Sequence, residues 1–222
     1  MPNIGIFPLG IVLFPGSSYP LTIFEERYKL LIREVTDSGG RFGINLFHDH
    51  KMFQIGCEAR VSQIVKVHPD GIMDIIVTGG ARFLISEFFT DQRPYMTAEV
   101  AMFDDDEPRP EYPLLETTIG YYNRLVESVY GEAEESLDPA DWLEGGASFR
   151  MAQKCGLDLD VRQQLLEVKS ENERLRFLSS YFTEVLPKIK QVEKIQMLVR
   201  NDGYISPDRP GDWDQSDSSL DI

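Results

Sequence analysis

The chain has 222 residues, 42% of them hydrophobic and 11% aromatic, with a formal net charge of −15. That length allows one large domain or two small ones with an adequate core. A charge this negative argues against a phosphate-backbone partner, which wants a basic face, and no apolar run approaches the roughly 18 residues of a membrane span. The acidity is local: residues 104–111, 132–144 and 201–222 carry −4, −6 and −5, so the rest of the chain is neutral. The N-terminal MPNIGIF lacks a basic stretch followed by an apolar one, so no secretion signal is expected. Cys57 and Cys155 form no CxxC pair and read as buried free thiols in a reducing cytoplasm.

Residues 6–28 are rich in large apolar side chains but interrupted by Pro8, Pro15 and Pro20. Proline lacks an N–H and pushes the residue before it toward extended backbone, so no regular element is expected to run through this stretch. Short strands are expected at 4–7 and 19–24, and a helix at 25–37 with Tyr28, Leu31, Ile32 and Val35 on one face. Thr22 and Glu25 match a capping box at its start, and Ser38-Gly39-Gly40 ends it. Strands follow at 41–47 and 54–68, with a polar loop at His48–Lys51 between them. In the second, Val61, Ile64, Val65 and Val67 supply a core face whose broken alternation suggests a bulge. Pro69-Asp70-Gly71 makes a hairpin to a strand at 72–78, which Gly79-Gly80 should break, with further strands at 81–89 and 95–103.

From Pro113 the apolar period becomes helical. Leu115, Thr118, Ile119, Tyr122, Leu125, Val126 and Val129 mark one helix ending near Gly131. Asp138-Pro139 starts another, weakened at Gly145-Gly146 and stopped at Gly156. A short helix is expected at 160–168. Ser170 and Glu173 form a capping box for a last helix, which Pro187 should kink or end before the stripe resumes to about Arg200. The division is therefore a β-rich half at 1–103, an acidic, proline-rich linker at 104–112, a helical half at 113–200 and a flexible acidic tail at 201–222.

The segment FPLGIVLFPGSSYPLTIFEERY resembles the opening of the Lon N-terminal, or Lon substrate-binding, domain family, with several rare dipeptides at the family's spacing. The likeness continues through Gly56 and Ala59, Asp70-Gly71, and Gly79-Gly80-Ala81-Arg82-Phe83. It continues more loosely in the Arg162-Gln163 helix and in Ser170-Glu171-Asn172-Glu173-Arg174-Leu175, so that it covers roughly residues 4–187. The resemblance implies an α+β fold: a PUA-like twisted β pseudo-barrel with one packed helix, followed by an α-helical bundle. It implies a bacterial, cytoplasmic, proteolysis-related protein that binds polypeptide. It implies no ATPase or peptidase activity: the sequence has no GxxxxGK[ST] phosphate loop and no length for the Ser-Lys peptidase module of a full Lon protease.

The expected function is therefore non-catalytic, an adaptor-like module for unfolded or partly folded polypeptide or for a specific partner protein, with no cofactor, metal, nucleic acid or membrane. Candidate peptide contacts are Phe47, His48, His50, Met52 and Phe53, where a polar loop adjoins two apolar residues. An inward fold of Met52 and Phe53 as strand residues is the competing reading. A metal held by His48, Asp49 and His50 lacks an obvious further ligand. Cys57 paired with a histidine could be a nucleophile, against a buried strand thiol. The alternative function is a small-molecule-binding protein or enzyme with its site in a cleft of the β pseudo-barrel. Its weakness is the lack of a convergent set of titratable groups.

Overall fold

A computed structural model describes residues 2–130 and 136–202. Seven strands, β1 (Asn3–Leu9), β2 (Ser18–Ile23), β3 (Phe42–His48), β4 (Lys51–Met52), β5 (Ile55–Val67), β6 (Met73–Phe89) and β7 (Thr97–Met102), are joined by helix α1 (Glu26–Ser38) between β2 and β3. The strands run β1-β7-β6-β5-β3-β4, and β1 also pairs with β3 in parallel, so the sheet closes on itself as a twisted pseudo-barrel. After β7 come α2 (Tyr112–Tyr130), a 3₁₀ turn at Pro139–Trp142, α3 (Ala147–Lys154), α4 (Leu159–Glu167) and α5 (Glu171–Asp202). The expected tail falls largely outside the described residues, as do the expected end of α2 at Gly131 and the side chains of the stripe beyond Val192.

Helix α1 forms as its spacing requires. Tyr28, Leu31 and Ile32 are buried against Phe42, Ile44 and Ile75 of the barrel. Gly39 ends the helix in the left-handed region, φ 65°, where glycine avoids the Cβ clash. The capping box does not form, because the helix is capped at Glu25 while Thr22 still lies in β2, its hydroxyl donating to Asp74 Oδ1 at 2.8 Å across the β2–β6 ladder. Ser170 Oγ does accept the Glu173 N–H, at 3.3 Å.

Other expectations are overturned by long-range pairing. Pro8 and Pro20 lie inside strands, because both are on edges where a missing N–H costs no ladder bond. β6 runs unbroken through Gly79-Gly80. Glycine is needed at 79 for a different reason: a Cβ there would stand 2.1 Å from the Phe14 carbonyl oxygen, where the β1–β2 connection crosses the strand. β5 has the expected irregularity, with register shifts at Cys57/Ala59, Val61/Gln63 and Ile64/Lys66. Its supposed core face is exposed, however: Ile64, Val65 and Val67 lie beyond the part of β5 that pairs with β3, on a two-sided ribbon end. α5 likewise continues through Pro187 as one helix.

The helices bury Leu115, Ile119, Tyr122, Leu175, Leu178 and Phe182 together, and Val12, Phe14 and Leu46 from the barrel side enter the same cluster. A buried ionic joint ties the two parts. Arg82 of β6 donates to the Leu166 and Val168 carbonyls at 2.7 and 2.8 Å and pairs with Asp105. Arg174 of α5 pairs with Asp105 and, at 2.6 Å, with Glu171, whose carboxylate also accepts the Ser148 N–H and hydroxyl. The side chains of Arg174 and Glu171 are fully buried, so each charge depends on the other.

Candidate functional site

An apolar groove of about 590 Å³ lies on the barrel. Phe7, Pro8 and Leu9 of β1 form one wall, and Leu21 and Thr22 of β2 with Phe24 form another. The first turn of α1 contributes Arg27 and Tyr28 beside Glu25, and the β3–β4 hairpin contributes Phe47, His50 and Met52. Phe88 at the end of β6 and Met96 ahead of β7 close it. The floor is rigid: Phe7 and Tyr28 stack with ring centroids 3.9 Å apart, and the Arg27 guanidinium lies 4.6 Å from the Tyr28 ring centroid. Burial pushes the Tyr28 phenol above its ordinary range, with Arg27 opposing.

The rim is aromatic and open. Phe24, Phe47 and Phe88 are 64, 48 and 49% exposed. Three large apolar side chains around one depression form a contiguous patch, which marks an interaction site more often than scattered single residues do. Charge is nearly absent from the lining. Glu25 and Arg27 pair with each other at 2.7 Å, and the other polar side chains of the lining are Thr22, Tyr28 and His50.

The structure divides the sequence-derived candidates. Phe47, His50 and Met52 line the groove. His48 does not: it sits on β3 opposite Lys51, 3.7 Å from Asp49. Phe53 turns to the other side, packing against the helical cluster with its ring 4.7 Å from Lys51 Nζ. The expected loop at 48–51 is a two-residue hairpin turn, with Asp49 and His50 at φ 49° and 61°. Among the described residues no three His, Cys, Asp or Glu side chains converge as metal ligands. Cys57 and Cys155 are buried, and burial pushes both thiols up to about 12. The reactive thiolate is therefore suppressed at neutral pH, against the nucleophile reading. No helix among the described residues is long and apolar enough to cross a membrane.

Sequence reasoning missed Phe24 and Phe88, the most exposed parts of the rim. Phe24 sits between a strand and a helix, and Phe88 precedes a polar turn. An apolar residue at such a junction is a signal, but nothing local says that the two face the same space.

The family of the ATP-dependent protease La (LON) substrate-binding domain matches residues 3–184. The Lon proteases of Amoebophilus asiaticus and Brucella abortus are 24% and 28% identical over 86% and 85% of this chain. In both cases the match covers 24% of the relative, so the chain spans about a quarter of the length of the curated relatives it matches. Among solved structures, the Lon N-terminal domain protein from Xanthomonas campestris superposes with a TM-score of 0.61 at 27% identity, covering 82% of this chain and 99% of that one. The N-terminal domain of Mycobacterium avium complex Lon protease gives a TM-score of 0.63 at 19% identity, over 82% of this chain and 98% of that one, and supports the fold alone. With its closed barrel, packed helix and following helices matched over residues 3–184, the chain belongs to the family of the substrate-binding domain of Lon protease.

Proposed function

We propose that this chain captures exposed apolar segments of unfolded or partly folded polypeptide in the groove, as a substrate-recognition module. The observation that carries this reading is the uncharged groove ringed by Phe24, Phe47 and Phe88. Apolar client side chains entering it lose water contact on both sides, which contributes about 25 cal/mol per Å² of apolar surface. No buried polar group in the lining demands a particular partner atom, so specificity is broad and affinity is modest. Phe47, His50 and Met52 are contacts in this reading, while His48 and Phe53 are not. Residues 1–103 carry the groove and residues 113–200 brace the barrel behind it. Two buried thiols fit a reducing cytoplasm, and the acidic surface favours polypeptide over nucleic acid. Delivery of the captured client to a protease, as an adaptor or as part of a larger chain, is the second step of the same reading.

The test is a titration of the protein with a fluorescently labelled, permanently unfolded protein such as reduced, carboxymethylated lactalbumin. Saturable micromolar binding, weakened about tenfold by Phe47→Ser, is expected; removing one well-packed aromatic anchor costs more than about 1 kcal/mol. No saturation at high micromolar concentration overturns the reading.

A further inference from the structure

Two strands line the groove, β1 through Phe7–Leu9 and β2 through Leu21 and Thr22, and each carries a proline: Pro8 in the lining itself and Pro20 on the same strand just beside it. β1 pairs with β7 only over Asn3–Gly5, after which the Ile6 N–H donates to the Met96 carbonyl at 2.8 Å on that same side. Backbone direction alternates along a strand, so Phe7 and Leu9 turn their N–H groups to β3. The position whose N–H would face the groove is Pro8. On β2 the Ser17 carbonyl accepts the Gly79 N–H at 2.8 Å, which turns Tyr19, Leu21 and Ile23 toward β6. The Ser18 carbonyl points the other way and accepts Gln153 Nε2 at 3.0 Å. Pro20 and Thr22 share that outward direction. Among the groove-lining residues of these two strands, Thr22 alone presents an outward N–H.

A strand added to an edge needs alternating donors and acceptors from it. Here an extended client would find carbonyls but almost no donors, and its own carbonyls would lose water without replacement. A helical segment has already made its backbone bonds and asks only for side-chain contact. The Glu25–Arg27 pair leaves the lining without net charge, which fits an uncharged apolar face. Resting on the groove as the client site, we infer that it takes the apolar face of an amphipathic helical segment, and that Pro8 and Pro20 bar extended clients from joining the sheet. This guard matters most for a protein that meets unfolded chains, whose exposed strands are the ones that propagate aggregation.

The test compares two labelled peptides of one composition by fluorescence anisotropy. One is hydrocarbon-stapled as a helix with phenylalanines on its apolar face; the other is an isomer alternating apolar and polar residues. The stapled peptide is expected to bind about tenfold tighter, since its conformation is already organised. In a Pro8→Ala/Pro20→Ala protein, checked for native circular dichroism, the alternating isomer is expected to gain affinity and close most of that gap. If the unfolded protein binds but the stapled peptide holds no advantage, the helical mode is overturned and the groove stands. If neither peptide nor unfolded protein binds, the groove itself is overturned. A folded double variant with an unchanged gap overturns the guard.

Discussion

The joint between barrel and helices buries three charges, Arg82, Glu171 and Arg174, around a partly buried Asp105 and leaves each one paired, while the groove exposes three phenylalanines and carries one cancelled ion pair. At the joint, Arg82, Glu171 and Arg174 have lost their water and depend on one another and on the partly exposed Asp105. At the groove nothing is lost until a client arrives. Under the proposed function, the difference separates the residues that hold the joint from the exposed rim phenylalanines that would meet a client. A side chain can be removed from the groove with little harm to the fold. Removing Arg174 from the joint strands Glu171, whose ion pair is with Arg174.

The largest expected effect tests the joint. Arg174→Met removes the group that faces both Glu171 and Asp105, and stranding a buried carboxylate costs about 3–5 kcal/mol. Urea denaturation should show that loss as a lower midpoint, while the fraction still folded binds unfolded protein as before. A shift below about 1 kcal/mol would mean that water reaches Glu171 and that the joint is no drier than the rim.

Alkaline pH probes the cores on either side of the joint. Burial raises the Cys57 and Cys155 thiols to about 12 from their ordinary 9.0. A raised folded value means that the stability contribution is complete below pH 9, where both states are protonated. It falls as pH rises from there toward 12, because the unfolded thiol ionises first. The slope approaches about 1.4 kcal/mol per pH unit for each thiol. Denaturation midpoints measured across this window should fall, and Cys57→Ala should flatten the fall. An unchanged slope in Cys57→Ala would remove that thiol from the account.

Groove substitutions should reverse the pattern seen at the joint. Phe24→Ser and Phe47→Ser change exposed side chains, so stability should move by no more than about 0.5 kcal/mol. Client affinity should drop about tenfold, as for a hot-spot anchor. Equal losses of stability and affinity would show that the rim phenylalanines are structural.

The contrast between joint and groove also explains what the sequence makes legible. Local features are readable because their causes lie within a few residues: the α1 stripe, the Gly39 stop, the Pro69–Gly71 turn and the β5 bulges. The joint is not readable. Arg82 and Arg174 stand in motifs that resemble the family, but their convergence on Asp105 depends on the start of α5 meeting the segment that follows β7, 69 residues separating Arg174 from Asp105. Phe47, His50 and Met52 can be picked out because a hairpin places them together. Phe24 and Phe88 join them only through the β2–β6 and β1–β3 pairings, and a parallel closure such as β1–β3 leaves no mark on either strand. The interruptions expected at Pro8 and Pro20 do not occur because whether proline breaks a strand depends on which edge is free, whereas β6 runs through Gly79 because that residue is paired with Ala59 of β5 and bonded to Ser17 on its other side.

The smallest expected effect lies where fold and recognition meet, at the β3–β4 turn. Asp49 and His50 both hold positive φ, a conformation that asparagine and glycine adopt with less cost. Replacing the pair as Asp49→Asn/His50→Gly should stabilise the protein by about 0.5–1 kcal/mol, measured as a rise in the urea midpoint. The same change deletes the imidazole from the groove wall. If His50 touches the client, affinity falls while stability rises, and the turn is a place where a less favourable residue serves binding. If affinity is unchanged, the wall at this point is made by Phe47 and Met52 alone. The boundary between structural and recognising residues then passes between the turn and its two flanking strands.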